Sequence, residues 1–455
     1  MKTLVAILLL CLALVFSASA QTNSIVWHPA ADRVDADVHG LSLSNLLEQI
    51  TAQTGWRVYV EPGTTRRAST KFRNLPTGQA LRMLFGDLNF ALVPQTNAEA
   101  RLYVFTTKME NATQRVRAPK PAVPKHVPNE LLVKLKAGAN IDALAKAIGA
   151  KVIGRNDKLG IYRLQFADAA TTDAALDQLK TNSDVEDVDY NYVYDPPPTP
   201  QPLADAPVGP VSLTLDPSTP NDPCSPVVGL IDTPVQSLGS QLDPFMLKPI
   251  SVVGDVTASS SDITHGTAMA QTVLRGISQQ NNGTGSGGSK VRILPVNVYD
   301  SSETTTTWNV ALGVQAAVDN GATVLNMSLG GATDSAVLDD ILQQAMARGI
   351  PVFAAAGNQS GTALTYPAAL PGVNAVTATG APGQLASYAD YGSFVDMALP
   401  GASVVYLGSQ AYVVQGTSAS TAYATGVAAG VKGINCASWS QIQSAMLKRF
   451  PVPQK

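Results

Sequence analysis

VVGLID (residues 227–232), VRILPVNVY (291–299), ATVLNMSL (322–329) and PVFAAA (351–356) are four short, almost unbroken apolar runs. A strand with one wet face alternates polar and apolar residues, so unbroken runs read as strands covered on both faces of a parallel sheet. Apolar residues at helical spacing fill the gaps between them, over 268–278, 310–319 and 337–347. The region from 224 to 455 therefore reads as α/β. In such sheets chemistry sits beyond the carboxyl ends of the strands.

Four polar residues stand at such ends or at helix starts. Asp232 closes the first run, and a carboxylate after a buried strand needs a hydrogen-bond donor. His265, in ITHGTAMA, opens a helix and is the only histidine of the region. It could supply that donor and serve as a general base. Ser418, in GTSASTAYATG, opens another helix, where free backbone N–H groups and the positive end of the dipole favour a developing oxyanion. Asn358, in AAAGN, follows the fourth run and could point its amide at the same oxyanion. Each alone has a plainer reading: Ser418 as a helix cap, Asn358 as a turn residue, His265 as a structural histidine. Together, in the order Asp, His, Ser and without a G-x-S-x-G elbow, they describe a nucleophile, a base and its orienting acid.

Composition narrows the class. The chain has 455 residues, 45% hydrophobic and 14% charged, with a formal net charge of −3. It is too long for one domain and too apolar for disorder. It also lacks the basic excess of a nucleic-acid binder. At the N-terminus Lys2 precedes an apolar stretch over 4–16, too short to span a bilayer, and then Ala18-Ser19-Ala20; 1–20 reads as a signal peptide. The protein is thus expected to be secreted, periplasmic or extracellular, with no membrane span after cleavage. Export leaves Cys224 and Cys436, a candidate disulfide in an oxidising compartment; two separately buried thiols are the alternative.

Proline-rich stretches at 115–128 and 195–223 read as linkers. The first unit, 24–108, shows the order βαββαββ, with helical apolar spacing at Leu43, Leu46, Leu47 and Ile50 and again over 80–85. His28 and His39 in it show no partner at useful spacing and read as surface groups. This small α+β unit resembles the short N-terminal domain of secretins and outer-membrane receptors, in a helix ending in QTGWRVYV and a second helix carrying LRMLF. That implies an envelope partner. The second unit, 127–194, reads β-α-β-β-α-β, a ferredoxin-like arrangement that by itself implies no function.

The third unit resembles the subtilisin-like serine peptidases, or subtilases. Five motifs carry the resemblance in order: GLIDTPV, THGTAMA, NMSLGG, AAAGNQSG and GTSASTAYATG. YPAALPGVNAVTATG and LASYADYGSFVDMALPG join them. The resemblance implies a triad of Asp232, His265 and Ser418, with Asn358 in the oxyanion hole. It makes Ser328, Leu329 and Gly330 a strand that pairs with extended protein or peptide substrate. The stretch 354–357, with Ala355, Ala356 and Gly357, becomes the other wall of the specificity pocket. It makes the second unit a propeptide that assists folding and occludes the cleft, with VDYNYVYD leading into the site and a processing cut somewhere in 195–223.

Pro234, Ala268, Ala422 and Tyr423 depart from the family pattern without removing a catalytic atom. No cofactor is required for the chemistry. Relatives bind calcium, yet Asp255, Asp262, Asp300, Asp334, Asp339 and Asp340 form no recognisable loop motif, so no metal site is assigned. The sequons at Asn111, Asn282, Asn326 and Asn358 read as chance. The expectation is a secreted serine endopeptidase made as a zymogen. The alternatives are a non-catalytic subtilase-fold binding protein of the envelope, or an enzyme that processes only itself.

Overall fold

The structure is a computed structural model that describes residues 24–28, 31–95, 98–116, 125–204, 209–216, 222–255, 262–281, 288–301, 304–380 and 383–453. The signal-peptide reading lies outside these residues, as do Asn282 and the side chain of His39. The chain divides into two compact units, 1–120 and 121–455.

The first unit carries β1 (Ser24–His28), β2 (Arg33–Ser42), α1 (Leu43–Thr54), β3 (Arg57–Val60), β4 (Arg67–Pro76), α2 (Thr77–Phe85), β5 (Asn89–Gln95), β6 (Ala98–Phe105) and β7 (Gln114–Val116). The two outer strands β1 and β7 extend the order expected from sequence. The strands form two sheets, β1-β2-β4 and β5-β6-β3-β7. Leu46, Leu47 and Ile50 of α1 and Leu81, Leu84 and Phe85 of α2 fill the core with Val58, Leu102 and Val104. α1 begins where Ser42 caps it, its hydroxyl accepting from Asn45 N, and ends at the left-handed Gly55. His28 does have a partner: its Nε2 lies 3.1 Å from Asp35 Oδ2 across the β1–β2 pair. Spacing along the chain misses it because the pairing is made by the hairpin.

The second unit opens with β8 (His126–Leu135), α3 (Ile141–Ala147), β9 (Lys151–Asn156), β10 (Ile161–Gln165), α4 (Ala169–Leu179) and β11 (Val185–Tyr194). Their sheet runs β11-β8-β10-β9 with antiparallel pairing throughout. The alternation of β8 explains its two-sided burial. Leu131, Val133 and Leu135 face α3 and α4, while Leu132 joins a different cluster with residues of the following region.

Beyond the linker strands β12 (Gln201–Leu203) and β13 (Thr214–Leu215) come β14 (Val227–Asp232), β15 (Ile250–Ser251), α5 (His265–Asn281), β16 (Gly288–Ser289) and β17 (Arg292–Asn297). They are followed by β18 (Thr305–Thr306), α6 (Thr307–Asp319), β19 (Val324–Met327), α7 (Ala336–Ala347), β20 (Val352–Ala355) and β21 (Asn374–Thr379). The last elements are β22 (Met397–Pro400), β23 (Ala402–Leu407), β24 (Gln410–Gln415), α8 (Thr417–Asn435) and α9 (Trp439–Arg449). Seven parallel strands order as β15-β17-β14-β19-β20-β21-β22. The sheet starts near its middle at β14, builds outward to β15 and β17, then returns to build the other side from β19. The turning point lies beside β14, where a crevice opens at the carboxyl ends of an α/β sheet.

One helix layer, α5 with α8, covers one face, and α6 with α7 covers the other. The sheet of β8–β11 lies on α6 and α7. Leu132, Ile161 and Tyr194 share a cluster with Ile231, Val310, Val314 and Leu338. That shared core joins the ferredoxin-like and α/β regions into a single compact unit, where proline content alone divides them. Asn156 Nδ2 donates to Gln315 Oε1 (2.8 Å), and Lys134, buried, bridges Asp340 at 2.6 Å and Glu186 at 3.1 Å. Cys224 and Cys436 form a disulfide with Cα atoms 4.8 Å apart.

Candidate active site

Asp232 is the last residue of β14, buried, and accepts from Thr233 N (2.7 Å) through Oδ1. His265 is the first residue of α5, and its Nδ1 lies 2.8 Å from the same Oδ1. The loop between them is stitched to the start of α5. Gly266 N donates to Thr233 Oγ1 (2.7 Å), Thr264 Oγ1 to the Pro234 carbonyl (2.6 Å), and Gln236 N to Thr267 Oγ1 (2.8 Å). Gly266 lies so close to the Thr233 carbonyl that a side chain there would collide with backbone. The helix start therefore cannot slide relative to the strand end, which fixes the imidazole against the carboxylate. Pro234, unusual for its position by resemblance, contributes only its carbonyl.

His265 Nε2, on the far side of the ring, is buried and has no hydrogen-bond partner. Ser418 sits in the first turn of α8, where backbone N–H groups have no partner within the helix. Its hydroxyl donates to the Ser328 carbonyl (3.0 Å), and the Ser328 hydroxyl donates to the Ser418 carbonyl (3.0 Å). Behind this pair Asn326 Nδ2 donates to Ser328 Oγ (3.0 Å) and Thr425 Oγ1 to Asn326 Oδ1 (3.0 Å). The buried chain Thr425, Asn326, Ser328 thus locks β19 to α8, and with it one wall to Ser418.

Asn358 is held by one end of its amide. Its Oδ1 accepts from Thr417 N (2.9 Å) and Thr417 Oγ1 (3.2 Å), which leaves Nδ2, at the other end of the planar amide, as a donor. Thr417 Oγ1 also accepts from Gly357 N (3.1 Å), tying the end of the β20 loop to the start of α8. Gly357 has φ +114°, a backbone setting that disfavours side chains, and Asp390 closes the space where one would stand. Asp390, buried, accepts from Gln359 N (2.8 Å) and Gly361 N (2.9 Å) through Oδ1, which shapes the loop beyond Asn358.

The two walls named from sequence flank this centre. Ser328 and Leu329 follow β19, and Gly331 bridges Tyr366 in an antiparallel pair (2.9 and 2.8 Å). Thr365 stands between the walls: its Cγ2 would lie 2.6 Å from a Cβ on Gly330, and its Oγ1 2.7 Å from one on Gly357. Thr365, Thr417, Asp390 and the Asn326–Thr425 pair all escaped the sequence reading. Thr417 and Thr425 lie in the same motif as Ser418, Asn326 opens NMSLGG and Asp390 lies in the SYADYG stretch, where a motif could have drawn attention; Thr365 lies in none of them. Among the described residues no group of three or more His, Cys, Asp or Glu could hold a metal ion.

Residues 225–450 match the model of the subtilase family. Residues 112–191 match that of the fervidolysin N-terminal prodomain, starting earlier than the 127 expected from sequence. Thermitase of Thermoactinomyces vulgaris is 35% identical over 223 residues, 48% of this chain and 78% of thermitase. The chain belongs to the subtilase family of serine peptidases. A thermophilic serine proteinase of Bacillus sp. (strain AK1) is 28% identical over 315 residues, covering 67% of this chain and 78% of that one. The crystal structure of fervidolysin from Fervidobacterium pennivorans, described as a keratinolytic enzyme related to subtilisin, shares the fold. Its TM-score is 0.53 at 19% identity, over 70% of this chain and 57% of fervidolysin. The α/β region is thus a subtilase domain, and the β8–β11 region is its prodomain.

Proposed function

We propose that the protein is a secreted serine endopeptidase, made as a zymogen, which cuts proteins through an acyl-enzyme on Ser418. The observation that carries this reading is the buried Asp232–His265 pair, 2.8 Å apart, with His265 Nε2 left unpartnered. Rotation of the Ser418 hydroxyl from the Ser328 carbonyl to Nε2 would arm the nucleophile. His265 then takes the Ser418 proton as Oγ attacks the scissile carbonyl, and returns it to the leaving nitrogen. Asp232 holds the imidazole by Nδ1 and stabilises its charged form. The Ser418 N–H and Asn358 Nδ2 would receive the oxyanion.

Substrate would lie extended between 328–330 and 354–357, adding a strand and bonding mainly through its backbone. Such binding tolerates many sequences, which fits protein substrates in general. Every role in this chemistry falls to a protein group, and calcium, where present, would be structural. The first unit, by its likeness in pattern to envelope domains, is read as the region that meets an envelope partner.

The test is wild type beside Ser418→Ala, followed by intact mass spectrometry with casein and a fluorophosphonate. A wild type that sheds its prodomain, labels at Ser418 and degrades casein, with an inert mutant, bears the proposal out. Labelling without casein cleavage narrows the enzyme to itself. Two intact, unlabelled and folded proteins overturn it in favour of a binding scaffold.

A further inference from the structure

Each wall of the specificity pocket carries a glycine, Gly330 on one and Gly357 on the other, so neither wall fills the gap with a side chain of its own at these positions. Thr365 fills it instead. Its Cγ2 lies 2.6 Å from the Cβ position of Gly330, and its Oγ1 lies 2.7 Å from that of Gly357. A Cβ is one bond of about 1.5 Å from its Cα, so the two branches of this single threonine stand within about 4.2 Å of both wall backbones, which is van der Waals contact. The Ala355 carbonyl is 3.6 Å from the same Gly330 position, so the walls themselves draw together at this level.

Thr365 is held from both directions along the chain. Its own carbonyl accepts from Ala369 N (2.8 Å). The next residue, Tyr366, exchanges two backbone hydrogen bonds with Gly331 (2.8 and 2.9 Å), and the buried Pro367 follows with its fixed φ. Threonine is branched at Cβ and stiff about χ1. The side chain in the gap is therefore pinned to the 328–331 wall, and the two move together.

We propose that Thr365 determines the substrate class by closing the pocket between 328–330 and 354–357. The residue on the acyl side of the scissile bond, P1, is then glycine, alanine or serine, and aromatic and large aliphatic residues are rejected. The inference rests on the serine peptidase reading and names which bonds that site cuts. Strand pairing along the walls uses the substrate backbone and is nearly blind to its side chains, so selection at P1 falls to the gap. With both walls bare at glycine, a small residue at 365 would leave room for a long or flat side chain. With Thr365 in place, a Leu or Phe at P1 must overlap the volume of Cγ2 and Oγ1, and a close-packed site relieves such overlap only by shifting its walls. That shift is coupled to the chemistry. The Ser328 hydroxyl donates to the Ser418 carbonyl (3.0 Å), so displacing this wall also displaces the nucleophile. A large P1 residue is therefore expected to lower kcat and not only to raise KM.

The experiment uses the full chain, left to process, as wild type, Thr365→Gly and Thr365→Val, with peptide p-nitroanilides that differ only in having Ala, Leu or Phe at P1. A fluorophosphonate counts the active sites, and circular dichroism reports the fold. Wild type should favour Ala over Phe by roughly tenfold or more in kcat/KM. Thr365→Gly should lower that ratio by a further factor of roughly ten or more, and Thr365→Val, which fills the same space without the hydroxyl, should keep the wild-type ratio. A labelled wild type that cuts after Phe or Leu as well as after Ala overturns the inference, needs no variant to observe, and leaves the peptidase reading standing. A folded, labelled Thr365→Gly with an unchanged ratio overturns it too, as does a labelled wild type that turns over none of the three peptides. A folded wild type that takes no label and cuts nothing overturns the peptidase reading, and this inference with it.

Discussion

Asn358 is committed at its oxygen and open at its nitrogen, and that asymmetry sets what its loss should do. Asn358→Ala would remove the Nδ2 donor while leaving both walls intact. The expected outcome is a fall in kcat of roughly 10² to 10³ with KM little changed, the size known for such a donor in subtilisin itself rather than derived from this geometry. Thr417→Val tests the support instead. It removes the Oγ1 that accepts from Gly357 N and donates to Asn358 Oδ1, at 3.1 and 3.2 Å. Thr417 N still bonds Asn358, so a smaller loss of kcat, roughly tenfold, is expected; steady-state kinetics of both variants on one peptide substrate separate the two. The four residues of the proposed site, Asp232, His265, Ser418 and Asn358, were legible because they stand at strand ends and helix starts in one order, and His265 is the only histidine of its region. Thr417, Asp390 and Thr365 were not legible. They act by contact across the fold, and threonines and aspartates in loops are common enough to mean nothing until the neighbours are known.

At the scale of elements, α5 and α8 carry His265 and Ser418 and cross with their backbones nearly touching. A Cβ on Gly276 of α5 would lie 2.5 Å from the Tyr423 carbonyl and 2.9 Å from Val427 N, and one on Gly426 of α8 would run into the Val273 carbonyl. The glycines in these helices, costly to helix propensity, are there for this approach. Gly426→Ala should force the helices apart. It is expected to cost about 1–3 kcal/mol in chemical unfolding, with a lowered rate of Ser418 labelling because the nucleophile moves relative to the base. Gly321→Ala, at a surface turn where nothing stands within 4 Å, is the control that strains only the local backbone at φ +86°. Four of the seven sheet strands, β14, β17, β19 and β20, were legible in their unbroken apolar runs, but β21 and β22 were not read, nor were the short strands β12, β13, β15 and β18. Strands of two or three residues carry no period. They exist because a neighbouring edge offers them hydrogen bonds, and Val211 and Leu213 are buried beside one of them within a stretch that reads as linker.

At the scale of the molecule, the disulfide and the prodomain hold the subtilase domain in different ways. Cys224–Cys436 closes a loop with a sequence separation of 212, joining the start of the domain to the end of α8. Cys224→Ser is expected to lower stability by roughly 2–5 kcal/mol in oxidising buffer and to make no difference under reductant. The prodomain's hold carries a pH dependence to which Asp189 contributes. Asp189 of β11 reaches the start of α7, where its Oδ2 accepts from Ser335 Oγ (2.9 Å) and Val337 N (3.1 Å). Burial there pushes its pKa above the ordinary 3.8, despite those hydrogen bonds, and burial raises Asp187 and Asp334 nearby in the same direction. A carboxyl whose folded pKa is raised holds its proton more tightly in the folded state. Stability contributed through it is present in full below pH 3.8 and is lost as pH rises through the raised folded value. Lys134, the cation between Glu186 and Asp340, stays charged across that window and does not offset it. Asp189→Asn keeps an oxygen for Ser335 and Val337 but removes the titration. In a series of denaturant unfolding curves from about pH 3.5 to 7, on a Ser418→Ala background so that no cut intervenes, the variant should gain on its parent as pH rises. A gap that stays flat, or one that widens toward acid, would show that the carboxylate is paired well enough at α7 for ionisation to favour the docked prodomain.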